Sequence, residues 1–249
     1  MEEWIVTAYD LPEAYHKALR VLWELGKVVP CPDYNTTQLE ISLTMTVCEP
    51  LAEPRISKLF IGDPQSLEQY RQEILDGILD FEIEKGNWDY TYHSRIAPQI
   101  PFIIEDLKRN PYSRRAVVDV RDIDHDLGSE NPACLQHIQY FIRNNKLHCK
   151  VLFRSNDACK ATFMNAFALI ELQKRLAEEI GVEVGSYVHR ANSFHCYEKD
   201  FPMLKGYYQR IETAGHEWDL TYDYEGDWDE QMEEAKNAIA MKVEELKNR

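Results

Sequence analysis

The chain has 249 residues, 44% of them apolar, with only ten glycines, which is the composition of an ordinary globular protein with a substantial core. Its formal net charge of −15 excludes a protein that tracks a nucleic-acid backbone, yet leaves room for a small phosphorylated ligand held by a few arginines. No window holds 18 apolar residues, the opening Met-Glu-Glu-Trp lacks a secretory pattern, and the six cysteines contain no Cys-x-x-Cys, so a cytoplasmic protein with free thiols and no membrane contact is expected.

In chain order, Asp10 to Gly26 is predicted to be a helix: Asp10 caps it, Glu13 completes a capping box, and Tyr15, Ala18, Leu19, Leu22 and Leu25 form one apolar stripe. Cys31 to Thr37 reads as a polar loop. Leu39, Ile41, Leu43, Met45 and Val47 then alternate as a strand, and Glu49 to Gly62 is irregular. Ser66 to Gly77 reads as a helix capped by Ser66 and closed by Gly77. Asp89 to Ser94 has the aromatic content of a short strand, Phe102 to Arg109 that of a helix stopped before Pro111, and Ala116 to Val120 is a β-rich run. Asn165 to Ile180 should be a long helix punctuated by Gly181, Tyr187 to Tyr197 an extended aromatic segment, and Trp228 to Lys247 an amphipathic helix in an acidic C-terminal region. No repeat or linker interrupts the chain, so residues 1–249 are expected to form a single α+β domain.

The stretch from Asn131 to Asp157 carries the chemistry. Ile138, Tyr140 and Ile142 alternate on one arm, and Leu147, Cys149, Val151 and Phe153 on the other, with Asn144-Asn145 between them as a two-residue hairpin turn. If those two residues are the turn, pairing partners sum to 289, which puts Cys134 opposite Ser155 and beside Arg154. A cysteine in a strand is more often a small buried hydrophobe than a nucleophile. Its position at a strand start after Pro132, next to a guanidinium that favours the thiolate, turns the reading toward a nucleophile.

Arg114-Arg115, alone, is an ordinary solvated pair; at the edge of a β-run it is also a pair of forks suited to bidentate phosphate recognition, and with Arg154 and Ser155 it could complete a dianion pocket. His195 and Tyr197 lie two apart and share a strand face, either as part of a half-buried aromatic strand or as two polar tips converging on one hydroxyl. Asn165 is either a plain helix-start residue or an amide that offers a donor and an acceptor to a planar amide-like ring. Metal binding finds no support, because the eight histidines include no His-x-x-x-His or Glu-x-x-His pair, and no Gly-x-Ser-x-Gly elbow suggests a serine hydrolase.

Pro-Ala-Cys134, Phe-Arg154-Ser-Asn-Asp157, Asn165, His195-Cys-Tyr197 and Asn110-Pro-Tyr-Ser-Arg114-Arg115 together resemble the thymidylate synthase family in order and spacing, from about Gln99 to Tyr197. Leu135 after the cysteine and the shortened N-terminal third look more like the archaeal branch. The resemblance implies a large twisted mixed sheet flanked by helices, in a homodimer whose sites are completed across the interface. It also implies deoxyuridylate as substrate and 5,10-methylene-tetrahydrofolate as one-carbon donor. Carried over, Cys134 would attack C6 of the pyrimidine, and C5 would take the one-carbon unit to give thymidylate. Arg154, Ser155 and the partner subunit's Arg114 and Arg115 would bind the 5′-phosphate, Asn165 would read the O4/N3 edge, and His195 and Tyr197 would hold the 3′-hydroxyl. Asp157 would sit by base and folate, Tyr92 would match the tyrosine near the proton-abstraction site, and the family's catalytic glutamate is assigned to Glu68, with Glu73 behind it.

The chain departs from the family pattern in two further places. The loop from Cys31 to Thr37 lacks the family's phosphate-binding arginine, for which Arg20 or Lys27 would have to substitute. The sequence closes on a charged Lys-Val-Glu-Glu-Leu-Lys-Asn-Arg helix in place of a small apolar tail. A wetter site would let water capture the same one-carbon intermediate, so a pyrimidine nucleotide 5-hydroxymethylase is the enzyme alternative. Asn165 argues against the cytosine-specific hydroxymethylases, which look to carry Asp there. A non-catalytic nucleotide-binding protein is the remaining alternative, and Cys134 with its full set of neighbours speaks against it.

Overall fold

Alternating apolar residues build an eight-stranded mixed sheet in this computed structural model, which describes residues Glu2–Asn248; Met1 and Arg249, the ends of the expected 1–249 domain, lie outside the described residues. The N-terminal third runs β1 (Glu3–Ala8), α1 (Leu11–Leu25), β2 (Lys27–Cys31), β3 (Thr36–Val47), β4 (Ile56–Ser57) and α2 (Pro64–Asp76). The middle contains α3 (Phe81–Glu84), α4 (Tyr92–Ile96), α5 (Ile100–Arg109), β5 (Val117–Asp119), α6 (Ile123–Asp126), β6 (Leu135–Arg143), β7 (Lys146–Phe153) and β8 (Asn156–Asp157). The remainder is α7 (Thr162–Ile180), β9 (Glu183–Tyr197), α8 (Phe201–Thr213), β10 (Thr221–Tyr222) and α9 (Asp229–Lys247).

The sheet order is β1-β3-β9-β7-β6-β5, with β2 also on β3 and β8 also on β9. β1 pairs β3 and β7 pairs β9 in parallel, while β3–β9, β6–β7 and β5–β6 are antiparallel. Ile138, Tyr140, Leu147, Cys149 and Val151 point into a core shared with Tyr15, Leu19 and Leu22 of α1 and Phe163, Phe167 and Ile170 of α7. The alternate residues of β6, among them Gln139, Phe141 and Arg143, stay half-exposed. The α+β architecture on a large mixed sheet is therefore the expected one. No described helix is long and apolar enough to cross a membrane.

The central hairpin forms as its sequence requires. Asn144 and Asn145 both take positive φ (51° and 59°), the conformation a two-residue type I′ turn needs and one that Asn tolerates better than branched residues. Partners sum to 289 from Arg143↔Lys146 to His137↔Leu152, and then a bulge at Gln136 shifts the pairing to Leu135↔Phe153. Cys134 consequently sits opposite Arg154, whose N–H donates to its carbonyl at 2.8 Å, and not opposite Ser155.

Local capping chemistry explains two other differences. α2 is capped by Asp63, which accepts from Ser66 N–H at 2.7 Å, while Ser66 answers as the return half of the box. The stretch read as an aromatic strand, Asp89 to Ser94, instead leads into α4: Thr91 accepts from Ser94 N–H at 2.9 Å, and the capping box overrides the β-propensity of the tyrosines. α9, whose partner the sequence left open, packs on α2, with Ile239 and Val243 buried against Leu79.

Candidate active site

The ends of β7, β8 and β9 and the start of β6 converge at one end of the sheet, since β6 runs antiparallel to β7 and β9 parallel to it. Half-buried Cys134 stands there, just ahead of β6. Arg154 donates from Nε to the Ala133 carbonyl at 3.0 Å and from Nη2 to the Pro132 carbonyl at 2.8 Å, which clamps the turn that presents the thiol. Burial pushes the Cys134 thiol above its ordinary value, and the Arg154 guanidinium pulls it back without cancelling the rise. Arginine acts in the direction its position predicts, but desolvation wins in the ligand-free chain.

Aromatic residues from α2 and α4 form the wall beside the thiol. The Tyr92 hydroxyl accepts from Leu135 N–H at 3.3 Å, one residue past Cys134, and burial raises the Tyr92 phenol well above its ordinary range. Tyr70, Glu73, Trp88, Tyr90 and Tyr92 line a cavity of about 210 Å³. Burial also raises the Glu73 carboxyl, which accepts from Gln69 Nε2 at 2.8 Å. Asn165, buried at the start of α7, receives a hydrogen bond from the Tyr70 hydroxyl on its Oδ1.

Behind these residues a buried network sets the corner. Asn156 Oδ1 accepts from Thr162 Oγ1 at 2.7 Å and pairs with His189 Nε2 at 2.9 Å, while His189 Nδ1 meets the Tyr187 hydroxyl at 3.0 Å. Burial lowers His189 to about 3, so its ring is neutral and can accept and donate at once. The network ties β8 to β9 and to the first turn of α7. It thereby sets where Asp157 and Asn165 stand. Asp157 Oδ1 accepts from the backbone N–H groups of Cys159 and Lys160, both at 3.0 Å.

Asp157 pairs with His195 in register. His195 is buried and burial lowers its pKa, which keeps the ring neutral; Nδ1 lies 3.2 Å from the Ser193 carbonyl, so Nδ1 carries the proton. Its Nε2 is then a bare acceptor, buried and without a partner among the described residues. Tyr197 packs edge-on to it at 4.8 Å and against Tyr34 at 5.3 Å.

The sequence-derived set thus divides. Cys134, Tyr92, Arg154, Ser155, Asp157, Asn165, His195 and Tyr197 belong to this end of the sheet. Arg114 and Arg115 do not: both are exposed, make no ion pair among the described residues, and line a separate hollow with Asp106, Arg109 and Tyr112. Glu68 also stands elsewhere. Its carboxylate takes both ends of the Arg71 guanidinium at 2.7 Å plus Gln72 at 2.8 Å, and it faces α9 beside Glu171 and Tyr224. Glu73, one turn further along α2, is the glutamate that meets the aromatic cavity. Arg20 is engaged by Glu212 and Glu24, and Lys27 lies on the exposed start of β2. Two residues went unnoticed in the sequence: Tyr70, because nothing in one chain's pattern joins it to Asn165, and Lys199, which lines a cavity of about 340 Å³ with Tyr34, Thr36 and Tyr197.

A thiol set against an arginine fork, a buried amide and a neutral imidazole acceptor meet at one end of this α+β domain, a set of groups whose chemistry allows nucleophilic attack. Comparison with known proteins makes the class specific. The family model for thymidylate synthase matches residues 67–235. A chain named "Putative thymidylate synthase" from Methanocaldococcus jannaschii is 31% identical over 210 residues, covering 80% of this chain and 93% of that one. One of the same name from Methanothermobacter thermautotrophicus is 32% identical over 211 residues, covering 77% and 92%. The solved thermostable thymidylate synthase A from Bacillus subtilis shares the fold with a TM-score of 0.66 at 18% identity, over 80% of this chain and 84% of that one. The chain belongs to the thymidylate synthase family, and with it to the one-carbon transferases of nucleotide biosynthesis.

Proposed function

We propose that this chain transfers a one-carbon unit from 5,10-methylene-tetrahydrofolate to C5 of deoxyuridylate and releases thymidylate. The observation that carries the reading is the arrangement of Cys134, Arg154 and the unpartnered Nε2 of His195 at one end of the sheet. A nucleoside monophosphate has an electrophilic ring, a dianion and a sugar hydroxyl, and these three groups answer it in turn. The 3′-hydroxyl donates to His195 Nε2, which gives that buried imidazole acceptor a partner. Arg154 and Ser155 take the 5′-phosphate.

With the phosphate anchored, ring position relative to sulfur is set, which is catalysis by orientation. Cys134 Sγ bonds to C6, the C5=C6 electron pair moves toward C5 and O4, and the thiol proton leaves to solvent. Asn165 donates to O4, a bond that strengthens as charge builds there in the transition state. When bound, the folate supplies the one-carbon unit and the hydride that completes the methyl group. The cavity walled by Tyr70, Trp88, Tyr90 and Tyr92 beside Cys134 suits its flat heteroaromatic ring. Tyr92 takes up the C5 proton, with Glu73, whose pKa burial raises, as the carboxyl on the same cavity wall. Loss of that proton and release of sulfur from C6 restore the double bond.

Incubating the protein with deoxyuridylate and methylene-tetrahydrofolate should yield a nucleotide heavier by one methylene group, and Cys134→Ala should abolish it. A product heavier by a further oxygen would instead assign 5-hydroxymethylation, in which water captures the intermediate. Tight nucleotide binding with no product, unchanged by Cys134→Ala, would reduce the protein to a binder.

A further inference from the structure

Tyr70 reaches from α2 to Asn165, and its hydroxyl donates to Oδ1 of that buried amide. Asn165 Nδ2 has no hydrogen-bond partner among the described residues. An amide presents an acceptor at one end and donors at the other, so whatever holds one end decides what the other offers. No carboxylate competes for it: Glu68 is bound by Arg71 and Gln72, and Glu73 by Gln69. Burial keeps the Tyr70 phenol protonated far above neutral pH, so it remains a donor. A carboxylate in its place could only accept and would turn the amide over.

We propose that Tyr70 is a positioning residue that holds the Asn165 amide with its NH₂ toward position 4 of the bound pyrimidine, and so selects uracil over cytosine. This rests on the nucleotide reading of the site above. Uracil presents the O4 acceptor to Nδ2, while N3–H uses the second lone pair of Oδ1. Cytosine presents an amine at position 4, which meets Nδ2 donor to donor. Turning the amide to fit cytosine takes away the acceptor of the buried Tyr70 O–H, and the NH₂ group that replaces it can only donate to the phenol oxygen, which leaves the hydroxyl proton unpaired.

Tyr70→Phe keeps the ring and removes the donor. Affinities of wild type and variant for deoxyuridylate and deoxycytidylate, measured without folate, give the test. The uridylate-over-cytidylate preference should fall about tenfold in the variant, the size of one lost hydrogen bond to a buried group. A role in packing alone would weaken both nucleotides equally and leave the ratio unchanged, which would overturn the proposal. Should the variant unfold, the wild type still decides. The Asn165 side-chain NH₂ resonances should move downfield on adding deoxyuridylate, and an unmoved pair under saturating nucleotide would overturn the assignment. A wild type that binds neither nucleotide would sink the reading of the site itself, an outcome distinct from a wild type that prefers uridylate with a Phe variant that prefers it equally.

Discussion

At the scale of single residues, opposed effects on one thiol decide reactivity. Desolvation raises the Cys134 pKa above the ordinary 9.0 and Arg154 lowers it by less. Alkylation of Cys134 in the ligand-free protein, followed peptide by peptide to separate exposed Cys48, should therefore have its midpoint above pH 9.0. Arg154→Gln should move that midpoint higher still; a downward shift would mean that the guanidinium does not act on the thiol. His189 gives a second titration. Its folded value of about 3 lies below the ordinary 6.5, so the unfolded chain takes up a proton across that interval and the folded chain does not. Stability should fall as pH drops through this window, by up to ~1.4 kcal/mol per unit. His189→Gln should flatten the fall between pH 6.5 and 4.5 by about 2 kcal/mol in denaturant titrations. That Cys134, Arg154, His195 and Tyr197 share one end of the sheet was legible in the sequence, because their placement follows from the hairpin turn and strand parity. Tyr70 was not, since its significance comes from contact with Asn165, ninety-five residues away.

Among the elements, the hairpin shows how far pattern reaches. Parity and the Asn-Asn turn predict both arms and the 289 register, but the bulge at Gln136 lies beyond any period-two argument and moves Cys134 by one partner. That shift sets the Cys134 carbonyl on Arg154 N–H, and the same arginine holds Pro132 and Ala133. Turn geometry can be tested directly. Asn145→Gly should be neutral or stabilise by up to ~1 kcal/mol, whereas Asn145→Val, a branched residue at positive φ, should cost about 1–2 kcal/mol in thermal melts. α4 and α2 make a related point: the first was read as a strand and the second was capped at Ser66 instead of Asp63, because a four-residue capping box outweighs the composition of the residues around it. β1 and α8 escaped notice for lack of contrast. Ile5 is 70% exposed, and α8 buries only Leu204, so neither shows a clean apolar period.

For the molecule as a whole, one feature away from the site bears on assembly. The exposed, unpaired guanidinium groups of Arg114 and Arg115 lie away from Arg154, and one face of the sheet carries half-exposed Gln139, Phe141 and Arg143. A two-fold dimer through such a face would let each arginine pair serve its neighbour's phosphate pocket. Mixing Cys134→Ala with Arg114→Ala protein should then restore up to about a quarter of wild-type activity, because half the dimers are mixed and one of their two sites is intact. No recovery after proven subunit exchange would confine the site to one chain.

The central claim is that Cys134 attacks C6 and thereby activates C5, and release of tritium from 5-tritiated deoxyuridylate in the presence of methylene-tetrahydrofolate tests it most directly. Wild type should release tritium to water at every turnover, and Cys134→Ala should release none, whichever product follows. Tritium retained by an active wild type, or released equally by the alanine variant, would contradict the mechanism.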